Sequence, residues 1–99
     1  MLLAQVYIDE DDLTVYGHLR DMILQLLINN GIAGATAFTG DAGFGRYYRM
    51  MHHEKQIVLD KKPLLIVFID EDKKVKVALT ELRKQYRGGF IITHPVEQW

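Results

Sequence analysis

The chain has no cysteine and no serine, and only two prolines and one tryptophan in 99 residues. Without cysteine there is no disulfide framework, no thiolate metal site and no thiol nucleophile. Without serine, serine-based acyl chemistry is excluded; only Thr14, Thr36, Thr39, Thr80 and Thr93 carry aliphatic hydroxyls. There is no excess of charge of either sign: 12 Lys and Arg against 13 Asp and Glu leave a net charge of -1. That balance gives no reason to expect nucleic acid as a partner. No apolar run approaches the length needed to cross a bilayer, so no direct membrane insertion is expected. No basic region or cleavage site of a signal peptide precedes the first strand-like run, and a cytoplasmic protein is the expectation. There is also no H-E-x-x-H and no complete Walker loop, which points away from an enzyme and requires no cofactor.

What the chain does have is glycine in one place. Gly31, Gly34, Gly40, Gly43 and Gly45 put five of the eight glycines into fifteen residues. Glycine allows backbone conformations and close approaches that a side chain forbids, at an entropic cost to folding. The backbone is therefore expected to turn sharply, or to meet something, between Gly31 and Gly45. The length suits one domain, 1–99, with one core.

Leu2 to Ile8 alternates, with Leu2, Ala4, Val6 and Ile8 on one face and Leu3, Gln5 and Tyr7 on the other, which predicts a strand. Asp9-Glu10-Asp11-Asp12 ends it, as a solvated loop or as acids serving a metal or a cationic partner. From about Tyr16 to Asn30 the period becomes helical, with Leu19, Met22, Ile23, Leu26 and Leu27 on one face. Asn30-Gly31 marks the helix end, where glycine accepts the left-handed cap. Gly34 to Thr39 reads as a short strand. Gly40 to Lys62 has no convincing period; Gln56 to Leu59 is a candidate strand extension. Pro63 to Ile69 is near-continuously apolar, as in a central strand. A second helix follows Asp70-Glu71-Asp72, with Val75, Ala78, Leu79, Leu82 and Tyr86 as its stripe, and Gly88-Gly89 breaks it. Phe90 to His94 is the last strand.

The order β-α-β-β-α-β predicts an α+β, ferredoxin-like fold: an antiparallel four-stranded sheet, order 4-1-3-2, with two helices on one face. The right-handed crossover rule is expected to make strands one and three parallel neighbours in the middle. Leu3, Tyr7 and residues of strand three then occupy the other face, and the chain has no third layer for it. Such a face is expected to mediate self-association.

The pieces Tyr7-Ile8-Asp9-Glu10, Gly31-Ile-Ala-Gly-Ala-Thr36, Gly43-Phe44-Gly45, Pro63 with its apolar strand to Asp70, and Gly89-Phe-Ile-Ile-Thr93 resemble the DUF190 family. That family is related in fold to the nitrogen-regulatory PII proteins. The resemblance spans essentially the whole chain. It implies a homotrimeric signalling protein with sheet faces packed inward. It also implies that residues 40–62 correspond to the long PII T-loop, and that an adenine nucleotide is a possible effector in the cleft between subunits. The base of that loop and the short loop before the last strand line this cleft in PII proteins. The chain departs from the PII pattern before the last strand: it has only Arg87-Gly88-Gly89, with Phe90 where a lysine would help.

The candidate residues for a small anionic ligand are therefore Gly34, Thr36, Gly40, Gly43, Phe44, Gly45, Arg46, Arg49, Arg87, Gly88 and Gly89. Gly40 to Gly45 is not a dinucleotide fingerprint, because a basic segment rather than a helix follows it. A turn whose backbone N–H groups face an anion, aided by Arg46 and Arg49, fits it; so does a hinge for a loop that orders on a partner. His52 and His53 offer a metal alternative, a divalent-metal-responsive trimer of the cation-tolerance type. Adjacent histidines in an extended chain point to opposite sides, which favours solvated side chains. Tyr47, Tyr48, Met50 and Met51 suit either a target-protein surface on residues 41–62 or packing back onto the trimer. Lacking a periodic apolar face, this segment is expected to be the most mobile part of the free protein.

Overall fold

The computed structural model describes residues 1–43 and 62–99. The elements are β1 (Leu2–Asp9), β2 (Leu13–Thr14), β3 (Gly17–His18), α1 (Leu19–Asn29), β4 (Ala35–Thr39), β5 (Pro63–Asp70), α2 (Asp72–Gln85) and β6 (Phe90–Pro95). Four strands form one sheet in the order β4-β5-β1-β6, while β2 and β3 make a separate small hairpin. The main sheet and the two helices are the ferredoxin-like arrangement expected from the alternation and the helical stripes.

One pairing differs from expectation. β1 and β5 are antiparallel, not parallel, with Leu2 opposite Asp70 and Asp9 opposite Pro63. The crossover rule governs strands joined by a helix, here β1 with β4 and β5 with β6. Each such pair leaves a gap of one strand, and the other unit fills it with a strand running the opposite way. β6 is likewise antiparallel to β1, and β4 to β5.

The alternation of β1 and β5 sorts their side chains. Leu2, Ala4, Val6 and Ile8 and Leu64, Ile66 and Phe68 are buried under the helices, against Ile23, Leu26, Leu27, Val75, Ala78 and Leu82. α1 begins three residues after the predicted Tyr16, because Leu13–His18 folds into the hairpin. That hairpin returns the chain so that the Asp12 carbonyl accepts the Leu19 N–H at 2.8 Å, in place of a side-chain cap. At its far end Gly31 has φ +77°, and its N–H donates to the Ile28 carbonyl while that of Ile32 donates to Leu27, both at 3.0 Å. This is the left-handed Schellman cap that Asn30-Gly31 predicts, with Ile32 buried beside it.

Asp70 is the one polar side chain in the described core. Its two oxygens accept the backbone N–H of Ala33 at 3.0 Å and of Glu71 at 2.8 Å, joining the turn before β4 to the start of α2. These two bonds favour the charged form and hold its carboxyl below the usual range. A depressed carboxyl contributes stability above the ordinary carboxylate pKa, and loses it as pH falls through the lowered value. Asp70→Asn presents an amide NH2 to one of these donors, so its melting temperature at neutral pH should lie below that of the natural chain. The gap should narrow as pH falls below about 4. Thermal melts between pH 2 and 7 check this; a gap constant across the range contradicts it.

Candidate functional site

The last residues of β1 and β4 and the first of β5 and β6 all lie at one end of the sheet. There the Gly40 N–H donates to the Pro63 carbonyl at 2.8 Å, and the Glu10 N–H donates to the Lys62 carbonyl at 2.9 Å. A Cβ on Gly40 would stand 2.7 Å from Pro63 Cγ, and one on Gly43 3.1 Å from the same atom. These two glycines therefore let the chain fold over the proline ring. Pro63 is the first residue of β5, where its missing N–H breaks no ladder bond.

On the other side of β1, Arg87-Gly88-Gly89 leads from α2 into β6. Gly89 has φ +68°, and a Cβ there would lie 2.7 Å from the Tyr7 carbonyl oxygen. Gly88 passes under Tyr86, whose hydroxyl would be 2.6 Å from an added Cβ. Arg83, in the last turn of α2, donates through Nη1 to the Gly88 carbonyl at 2.7 Å and to that of Tyr86 at 3.4 Å. Sequence reasoning did not single out Arg83, since a cation in a last turn has an ordinary explanation in the helix dipole. Its spacing of five residues from Gly88, across a glycine break, is the available signal.

The structure thus brings Gly40, Gly43, Arg87, Gly88 and Gly89 to one end of the sheet. Three strand spacings separate β4 from β6, about 14 Å, so within one chain the two glycine turns are separate elements. Gly34 is not with them: it precedes β4 at the opposite end, next to Ala33 and its bond to Asp70. Thr36 sits opposite Val67 on the sheet face away from the helices. Phe44, Gly45, Arg46, Arg49, His52 and His53 lie outside the described residues, as do Tyr47, Tyr48, Met50, Met51 and the Gln56–Leu59 extension. Among the described residues no three His, Asp or Glu side chains converge in a way that could hold a metal ion.

The acidic run beside this end folds on itself, the Asp9 N–H donating to Asp12 Oδ2 at 3.2 Å. The open sheet face carries Tyr7 and Phe90, whose rings lie 6.0 Å apart, with Leu3, Leu65, Val67, Ile69, Phe38 and Ile92. Phe90 is 62% and Phe38 55% exposed. A cleft of about 550 Å³ opens elsewhere, between the small hairpin and the helices, beside Tyr16, His18, Asp21, Gln25, Asn29 and Glu81. No Lys or Arg lines it, and two carboxylates do, so its electrostatics do not suit an anion. No helix among the described residues is long and apolar enough to cross a membrane.

Known proteins match this arrangement. The sequence profile of DUF190, described as "Uncharacterized ACR", matches residues 1–98. A UPF0166 protein of Aquifex aeolicus is 26% identical over 98 residues, which are 99% of this chain and 96% of that protein. Among solved structures, CPII from Thiomonas intermedia bound to ADP, AMP and acetate is similar at a TM-score of 0.59 and 17% identity, over 94% of this chain and 84% of the other. CutA1 from Pyrococcus horikoshii is similar at 0.56 and 22%, over 100% and 86%. At these identities the solved structures speak for the fold, whereas the profile match over nearly every residue speaks for kinship: the chain belongs to the DUF190 family.

Proposed function

We propose that the protein is a non-enzymatic regulator of the PII-like kind. Three chains pack their open sheet faces together, a small anionic effector binds where subunits meet, and the segment within 41–62 is presented to a target protein. The effector best suited is an adenine nucleotide.

The observation that carries this reading is the glycine-lined end of the sheet. Two backbone turns without side-chain bulk, one at Gly40 and Gly43 and one at Gly88 and Gly89, flank the end of β1 with Arg87 and Lys62 exposed beside them. Backbone N–H groups and cations at a turn are the chemistry that holds phosphate oxygens. The two turns lie about 14 Å apart within one subunit, with β5 and β1 between them, so a neighbouring chain would complete the site by setting its own glycine turn beside one of these. The likeness in fold to CPII, seen with ADP and AMP, supports the choice of nucleotide. The apolar open face supports assembly: exposed patches of this kind mark interfaces.

Calorimetric titration with ATP, ADP, AMP and cyclic nucleotides tests the effector. A saturable heat with at least one of them is expected; no heat and no thermal shift at millimolar ligand removes the nucleotide from the reading. Metal analysis of protein purified without a histidine tag tests the alternative at His52 and His53, which calls for bound divalent metal.

A further inference from the structure

Arg83 is a half-buried cation that makes no salt bridge among the described residues. Arginines so placed usually pair with a carboxylate. This one spends its guanidinium on the carbonyls of Gly88 and, at longer range, Tyr86. No peptide bond in this region is cis. In a trans peptide the C=O and the following N–H point in opposite directions. Drawing the Gly88 carbonyl onto Arg83 therefore turns the Gly89 N–H away from it, to the other side of the loop. The Tyr86 carbonyl does the same for the N–H of Arg87. Among the described residues neither N–H has a protein acceptor.

Gly89 is fixed from its other side as well. Its φ of +68° and its approach to the Tyr7 carbonyl leave this peptide little room to rotate. Tyr86 closes over Gly88. The loop is thus held between β1, an aromatic ring and a guanidinium, with two N–H groups facing outward.

We propose that Arg83 is the positioning residue of the anion-binding loop. It does not touch the ligand. It sets the peptide planes so that the N–H groups of Arg87 and Gly89 are presented before any anion arrives, and its charge, without a carboxylate among the described residues, raises the local potential where the anion sits. Arg87, with its exposed side chain, supplies the direct cation. The ligand side of this inference rests on the proposed anion site; the loop side does not.

The experiment compares the full chain with Arg83→Met, Arg83→Lys and Arg87→Met. Backbone amide order parameters from NMR are measured without ligand, and ADP and inorganic pyrophosphate are then titrated. In the natural chain Gly88 and Gly89 should be as ordered as the sheet, about 0.85. Arg83→Met should drop them toward 0.6 or below and weaken ADP about tenfold, because the two N–H donors must then be ordered on binding. Arg83→Lys keeps the charge but not the planar fork, and should fall between. Arg87→Met should weaken ADP while leaving the loop ordered. The Gly89 amide should shift with pyrophosphate in the natural chain and not in Arg83→Met.

Unchanged loop order in Arg83→Met overturns the inference whether or not any ligand binds. So does ADP affinity equal to that of the natural chain. If the natural chain binds neither probe while Arg83→Met disorders the loop, the nucleotide reading fails and Arg83 keeps only its role in the loop.

Discussion

Replacing Gly89 by alanine is expected to destabilise the protein by about 3 kcal/mol, a cost combining a left-handed backbone with a steric collision. The severe collision is with backbone: the new Cβ would meet the Tyr7 carbonyl oxygen at 2.7 Å, and beyond it the Ile8 side chain at 3.2 Å. The Tyr7 carbonyl cannot move without disturbing the β1–β6 ladder, in which Tyr7 pairs with Phe90. Gly88→Ala is the control. There the Cβ would meet the phenol end of the Tyr86 side chain rather than backbone, and no φ penalty applies. Its loss should be well under half as large. Chemical denaturation of the two variants checks the order. Equal losses at both positions would contradict the account of how this loop is packed.

The second expected result concerns the open face. Val67→Lys should abolish self-association while leaving the single chain folded. Val67 sits in the middle of β5, with Gln5 of β1 and Thr36 of β4 beside it on that face. On a solvated sheet face the change from valine to lysine is within about 1 kcal/mol. Within an assembly the ammonium would be buried without a partner, which costs several kcal/mol in each subunit. Light scattering coupled to size exclusion should read three times the chain mass of 11.4 kDa for the natural protein and the mass of one chain for the variant. A monomeric natural protein at micromolar concentration contradicts the assembly. A trimeric Val67→Lys contradicts the assignment of this face to it.

How much of this was legible in the sequence depends on range. The alternation of Leu2 to Ile8 and the stripes of both helices name nearly every core residue, because periodicity and burial are the same fact seen twice. Asn30-Gly31 announces its cap for a local reason, the left-handed backbone. The hairpin at Leu13–His18 leaves no such trace: its strands have two residues each, too few to show a period, and they sit just ahead of a helical stripe. The direction of β5 does not follow from the rule for helix-joined strands, because no single helix joins it to β1. At the site, Gly40, Gly43, Gly88 and Gly89 were visible as glycines, but their convergence at one end of the sheet, and the separation of Gly34 from them, follow from strand order. Arg83 was hidden because its partners are carbonyls, and the sequence does not show where carbonyls point.

The bonds from Glu10 to Lys62 and from Gly40 to Pro63 tie both ends of the segment between β4 and β5 to the sheet. The span between those ties is closed by the scaffold, whatever lies within it. Lengthening a closed span costs little, about 0.6 kcal/mol for each doubling. A change of length there should therefore have a small effect on the folding of the rest. The tied ends make the span an insertion point for a foreign peptide that leaves the sheet and its open face in place.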